Sequence, residues 1–235
     1  MVKTMKAIEQ VAEAYQSIKI AQSWEEVMNL PFEKRGLEED LNLIVYPRSL
    51  TCDFNALSFL LYTKLQPVAS FMGAEERREY IEDILRTEVS NGDPRFALQA
   101  DYVLSDMGNY KKAGLKSNLR NIDHLTYQGR VTTYGHVDKK SMEAIKSERF
   151  IINYIDPGTE FILNEDSVLV KDFSCGFLKR DVYVVKEGRE ALSGAVGHVF
   201  KMACLDNDAG VSPVIHRAPA LPKGAPPRLM LIGNR

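Results

Sequence analysis

Cys52 and His198 are the residues whose types and surroundings predict nucleophilic chemistry. Cys52 follows a polar, proline-containing stretch and precedes an apolar segment with helical spacing, which Thr51 or Asp53 would cap. Because unpaired amides and the helix dipole stabilise an anion at a helix N-terminus, this position favours a thiolate at Cys52. We therefore predict Cys52 as a catalytic nucleophile. The alternative is that Cys52 is a small buried core residue.

His198 lies in a segment that begins with small residues and continues as an apolar run, which we predict to be a strand. Asp206 and Asp208 follow in a turn-forming stretch. A hairpin would bring one of these carboxylates near the imidazole, so that His198 acts as general base and the acid orients it. We favour Asp208 over Asp206 for that role. A structural histidine on a strand is the alternative interpretation.

The cysteine motif resembles that of the papain-like cysteine peptidases, in particular the viral leader-peptidase type. It reads Cys52-Asp53-Phe54-Asn55-Ala56-Leu57 and continues into an apolar helix. The resemblance implies a papain-like fold in which Cys52 attacks the scissile carbonyl, His198 transfers the proton and Asp208 holds the imidazole tautomer. It also implies a polypeptide substrate, no cofactor, no metal and self-processing of a viral polyprotein.

Two positions depart from the pattern of that family. Asp53 stands directly after the cysteine, where a carboxylate would raise the thiol pKa and oppose activation. Tyr46 and Pro47 occupy the place of the amide side chain that the family uses as an oxyanion donor. The oxyanion donor is therefore not identified from the sequence.

Composition limits the classes of partner and compartment. The chain has 235 residues, a formal net charge of −2 and three cysteines, which are widely spaced. This balance does not favour a nucleic-acid or membrane partner, and the cysteines form neither a disulfide framework nor a CxxC metal pair. We expect a reducing intracellular compartment, the cytoplasm, or the host cytoplasm for a viral protein.

The order of predicted elements indicates an α+β fold with a helical N-terminal half packed on a β-rich C-terminal half. Helices, including one over 5–21, fill a subdomain over 1–120 that carries Cys52. Strands fill a second subdomain over 121–216 that carries His198. Residues 217–235 contain four prolines and are predicted to form an extended tail outside the core, the product of self-cleavage.

Two other functions stay open at this point. A non-catalytic viral or phage structural or assembly protein would have the same core, and its partner would be an assembly component. An ADP-ribosyltransferase-like fold is the second alternative, because the segments 134–138 and 155–161 resemble the opening His-strand and a late Pro-Gly turn of those enzymes. The sequence gives no oligomeric state.

Overall fold

A computed structural model describes residues 8, 12–36, 40–65, 74–122, 134–138, 147–175 and 178–235. The helices are α1 Trp24–Asn29, α2 Asn55–Leu65, α3 Ala74–Ser90 and α4 Pro94–Lys112. The strands are β1 Ile18–Ile20, β2 Leu43–Tyr46, β3 Lys116–Ile122, β4 Glu148–Asn153, β5 Glu160–Ile162, β6 Ser167–Cys175, β7 Leu178–Val185, β8 Leu192–Ser193, β9 Val199–Ala203, β10 Ile215–Arg217 and β11 Arg228–Asn234. Among the described helices, none is both long and apolar enough to cross a lipid bilayer.

A six-stranded sheet in the order β1-β2-β9-β4-β11-β3 forms the centre of the molecule. β1 runs parallel to β2, and the other neighbouring strands of this large sheet are antiparallel. A small sheet has the order β10-β5-β8, and β6 and β7 form a separate hairpin. The large sheet therefore combines strands from both ends and the middle of the chain.

The two faces of the large sheet are covered by different layers, because successive side chains of a strand point to opposite faces. On β11, Leu229 and Leu231 join the core cluster that contains the apolar sides of α2, α3 and α4. Met230 and Ile232 point the other way and join a second cluster with residues of the small sheet, such as Phe161. The large sheet thus lies between a helical layer and the small sheet.

The predicted helical N-terminal half is wrong. Three strands from the first 122 residues, β1, β2 and β3, belong to the large sheet, and among the described residues those in strands slightly outnumber those in helices. Of the helix predicted over 5–21, residues 5–7 and 9–11 lie outside the described part of the chain and Ile8 is helical, but a 3-10 turn at Ala12–Ala14 and strand β1 replace it further on. The helices form a layer on a sheet core, and the two subdomains of a papain-like layout are replaced by one sheet that both halves of the chain build.

The predicted extended tail is also wrong, because its second part is a central strand. β11 pairs with β3 on one side and β4 on the other, and its side chains from Arg228 to Gly233 are buried. Gly233 faces the ring of Tyr110, and a Cβ there would come within 2.8 Å of that ring. The four prolines precede this strand, and the apolar run after them provides the burial that proline-rich segments lack.

Candidate functional site

Cys52 lies just before α2, as predicted, and Asp53 rather than Thr51 caps the following turn. The backbone N–H of Asn55 donates to Asp53 Oδ1 at 2.9 Å. Burial, and then the neighbouring charge of Asp53, raise the pKa of the half-buried Cys52 thiol. The predicted effect of Asp53 is therefore confirmed, and both of these influences favour the thiol over the thiolate.

His198 is buried directly before β9, and its ring stacks on Phe200 at a centroid distance of 6.1 Å. The neighbouring Gly197 faces the segment that leads to Cys52, since a Cβ at Gly197 would come within 2.8 Å of Leu50 Cγ. The fold thus brings the segments that carry Cys52 and His198 next to each other.

Asp206 and Asp208 are exposed in the turn after β9, while His198 precedes the same strand. β9 has five residues, and a rise of about 3.3 Å per residue places this turn roughly 16 Å from the histidine. The chain reverses at the turn, but the two carboxylates stay at its tip. The structure therefore does not bring Asp208 to His198, and it leaves the peptidase hypothesis without its predicted orienting acid.

A buried ion pair fixes the region around Cys52 and His198. Arg48 Nη1 donates to Asp106 Oδ1 at 2.7 Å, and its Nε donates to the Gly197 carbonyl at 2.5 Å. Tyr154 donates its hydroxyl to the same carboxylate at 2.7 Å. These bonds connect α4 to the segment after β2, to the end of β4 and to the turn before β9. The role of the ion pair is therefore structural.

A second group of polar residues converges elsewhere: His136, Asp138 and His216. The backbones of His136 and His216 exchange both hydrogen bonds, at 2.9 and 3.0 Å, so the two residues are direct antiparallel partners. Their rings therefore lie on one face, with centroids 4.5 Å apart. Asp138 follows His136 by two residues in extended backbone, which places its side chain on the same face.

These three side chains present their ligand atoms to one point. One nitrogen of each imidazole and a carboxylate oxygen lie within 4.8 Å of one another, and His216 Nε2 is 3.4 Å from Asp138 Oδ2. His136 Nδ1 lies 3.0 Å from the carbonyl of Tyr134, and His216 Nδ1 lies 3.5 Å from that of Val214. Because a carbonyl only accepts, each Nδ1 carries the hydrogen and each Nε2 keeps its lone pair for a ligand.

The charge state of the group suits a cation. Burial lowers the pKa of His216 to about 3, so its imidazole is neutral at physiological pH. Burial alone would raise the pKa of Asp138, but the positive potential of its neighbours, including Arg149 at 2.5 Å, holds it below the usual value. His216 is therefore held as a neutral imidazole and Asp138 as a carboxylate, the protonation states in which these two side chains bind metals.

The histidines line an open pocket of about 430 Å³ between the large sheet and β10. Its apolar floor is formed by Ile151, Met230 and Ile232, which alternate along β4 and β11. Four arginines also line the pocket: Arg120, Arg149, Arg217 and Arg228. The pocket thus combines a candidate metal centre with a basic wall.

Arg228 is the most buried of these arginines, with 2% of its surface exposed. Its Nη2 donates to Asn153 Oδ1 and to Thr159 Oγ1, both at 3.1 Å, so neutral oxygens orient the guanidinium. A buried guanidinium on a pocket wall is suited to bind a carboxylate or phosphate through two parallel hydrogen bonds.

No family model, no curated protein and no solved structure matches this chain. The sequence analysis predicted no metal and missed the group of His136, Asp138 and His216. The available signal was the His-x-Asp alternation at 136–138, typical of one face of a strand, together with the second histidine on a predicted strand. Their proximity depends on a pairing between residues 80 positions apart, which the sequence pattern does not specify.

Proposed function

We propose that this protein is a mononuclear metal enzyme, an Fe(II)-dependent oxygenase that uses a 2-oxo acid as co-substrate. The observation that supports it is the convergence of His136, Asp138 and His216 at the wall of a pocket, with both imidazole Nδ1 atoms facing backbone carbonyls. Such backbone partners fix the tautomer and ring orientation of metal-binding histidines.

The ligand set favours iron over other divalent metals. Two histidines and one carboxylate on one side of an ion leave its other positions open, which is the arrangement typical of non-haem Fe(II) oxygenases. A hydrolytic zinc site also uses three protein ligands, but its single open position holds the attacking water. The pocket beside the triad is open and lined by arginines, which suits an anionic co-substrate as a further ligand better than a single water.

The basic wall supports the choice of co-substrate. Arg228 would bind the far carboxylate of a 2-oxo dicarboxylate whose 2-oxo acid end lies at the metal. In the reaction, one oxygen atom enters the substrate and the other enters the 2-oxo acid. The 2-oxo acid loses CO₂ and becomes a carboxylic acid one carbon shorter, which supplies the two electrons that the substrate alone does not provide.

The chain's own residues would bind, orient and shield the reactants. Asn153 and Thr159 orient the Arg228 guanidinium, and Ile151 and Met230 exclude water from the pocket floor. Arg149 holds the oxygen of Asp138 that lies nearest to His216, which fixes the carboxylate for the metal.

The test begins with metal-free protein under anaerobic conditions. We expect Fe(II) to bind in a 1:1 ratio and 2-oxoglutarate to be converted to succinate only when Fe(II) and oxygen are both present. Asp138→Asn should abolish both, while Asp101→Asn, on the exposed side of α4, should leave both unchanged. Binding of Zn(II) without oxygen consumption would replace the oxygenase with a hydrolase, and failure to bind any divalent ion would end the proposal.

The cysteine peptidase stays a prediction with a weaker basis. The segments that carry Cys52 and His198 lie next to each other, but the pKa of Cys52 is raised and Asp208 lies away from His198. The assembly-protein and ADP-ribosyltransferase alternatives also stay predictions, and neither makes use of the triad.

A further inference from the structure

Arginines project from three neighbouring strands of the large sheet into the same pocket. Arg149 lies on β4, Arg228 on β11 and Arg120 on β3, and these strands are adjacent in that order. The register places Met230 between Asn153 and Arg120, so Arg120 shares a face with the residues that line the pocket floor. This concentration of positive charge is local, because the whole chain has a formal net charge of −2.

The four arginines of the pocket differ in how deeply they are buried. Arg149 and Arg217 are partly buried. Arg228 is buried at the inner end, where the proposed co-substrate would bind. Arg120 is exposed at the rim on the outermost strand, and its charge still reaches the Asp138 carboxylate. Arg120 is therefore placed where a molecule entering the pocket first meets a cation.

Binding of the metal and co-substrate would keep the pocket basic. A divalent ion adds two positive charges, and a 2-oxo dicarboxylate offsets them. The charge of the arginine wall then also acts on the substrate, because clefts of one charge concentrate ligands of the opposite charge.

We infer that the substrate of this site is an anion whose carboxylate or phosphate group binds Arg120 at the pocket rim. The reaction of this substrate rests on the proposed oxygenase function, whereas the preference for an anion depends only on the pocket and its arginines. A planar guanidinium binds a carboxylate or a phosphate through two hydrogen bonds, so the geometry favours the two groups equally.

The experiment compares three probes with one ring and different charge: phenyl phosphate, benzoate and neutral benzamide. Their affinities are measured by calorimetry on the full chain, first without metal and then with Co(II) and 2-oxoglutarate. We expect one or both anions to bind at least about tenfold more tightly than benzamide. Phenyl phosphate ahead of benzoate would identify a phosphorylated substrate, and the reverse a carboxylated one.

The variants assign the preference to one residue. Arg120→Gln should remove the advantage of the anions, Arg120→Lys should restore part of it, and Arg86→Gln, at an exposed site on α3, should leave it intact. The affinities for Co(II) and 2-oxoglutarate should stay within about twofold in Arg120→Lys, which keeps the charge near Asp138, and in the distant Arg86→Gln.

Equal binding of benzamide and the anions, or an anion preference that survives Arg120→Gln, would overturn the inference. If the unmodified protein binds neither Co(II) nor 2-oxoglutarate, the proposed function is overturned instead. The metal-free measurements would still test the preference for an anionic substrate.

Discussion

The Cys52 region and the His136 region show how differently a sequence motif and a spatial site arise. Around Cys52, the motif is continuous in sequence, but the thiol pKa is raised by burial and by Asp53. Around His136, no continuous motif exists, yet three ligand atoms converge within 4.8 Å. The Cys52 region has the residue types of a catalytic site, but its thiol is not activated. The His136 region has the geometry of a metal site, but no obvious sequence signature.

The two regions also differ in how their polar groups are satisfied. Near Cys52, Arg48 and Tyr154 both donate to the carboxylate of Asp106, and Arg48 also donates to the Gly197 carbonyl, which closes the network within the fold. In the pocket, the imidazole Nδ1 atoms face backbone carbonyls, and His216 Nε2 lies 3.4 Å from Asp138 Oδ2. A closed network stabilises a fold, whereas side chains with lone pairs aimed at one point are arranged for a ligand.

The largest expected effect comes from removing residues 218–235, which belong to the segment 217–235 that was predicted to be an extended tail outside the core. Since β11 lies between β3 and β4 and supplies the pocket floor, we expect the shortened chain to lose its cooperative thermal unfolding transition. Circular dichroism during heating measures this. A sharp unfolding transition in the shortened protein would show that the fold forms without β11. The pocket would then not depend on β11, and the contrast drawn between the two regions would fail.

The second prediction sets the two regions directly against each other. His136→Ala removes a metal ligand, and because even outer-shell changes cost 10- to 100-fold in metal affinity, we expect Fe(II) affinity to fall by about 100-fold or more. Cys52→Ala should change Fe(II) affinity by less than about twofold. Calorimetric titration under anaerobic conditions gives both values. An activity lost with Cys52→Ala and kept with His136→Ala would reverse the assignment of the site.

The local structure near Cys52 could be predicted from the sequence, whereas little of the site at His136 could, for a physical reason. Helix α2 and the influence of Asp53 depend on residues next to one another, so spacing and charge predict them. The facial arrangement of His136 and His216 depends on pairing across 80 residues, and β11 was mistaken for a tail because prolines precede its apolar run. Local patterns predict elements, and long-range pairing decides which residues meet.

The third prediction tests the structural role of the closed network. Asp106→Ala leaves Arg48 without its carboxylate in a largely buried position, and breaking a buried pair from one side costs about 3–5 kcal/mol of unfolding free energy. Asp101→Ala, on the exposed side of the same helix, should change it by no more than about 0.5 kcal/mol. Urea denaturation measures both. Equal stability of the two variants would show that the network near His198 does not hold the fold.

The smallest expected effect concerns the thiol itself. Asp53→Asn removes the charge that raises the Cys52 pKa but keeps an oxygen that accepts from the Asn55 N–H. Below the pKa, a lower value means more thiolate, so alkylation by iodoacetamide at neutral pH should be faster by about two- to threefold. Mass spectrometry of timed samples measures the rate, with Cys204 as the internal reference, since burial raises its pKa to about 12. A tenfold or greater increase would indicate that Asp53 alone suppresses a nucleophile, and it would bring the peptidase hypothesis back ahead of the metal site. An unchanged rate would instead show that burial governs this thiol, as expected for a cysteine that serves the packing of α2.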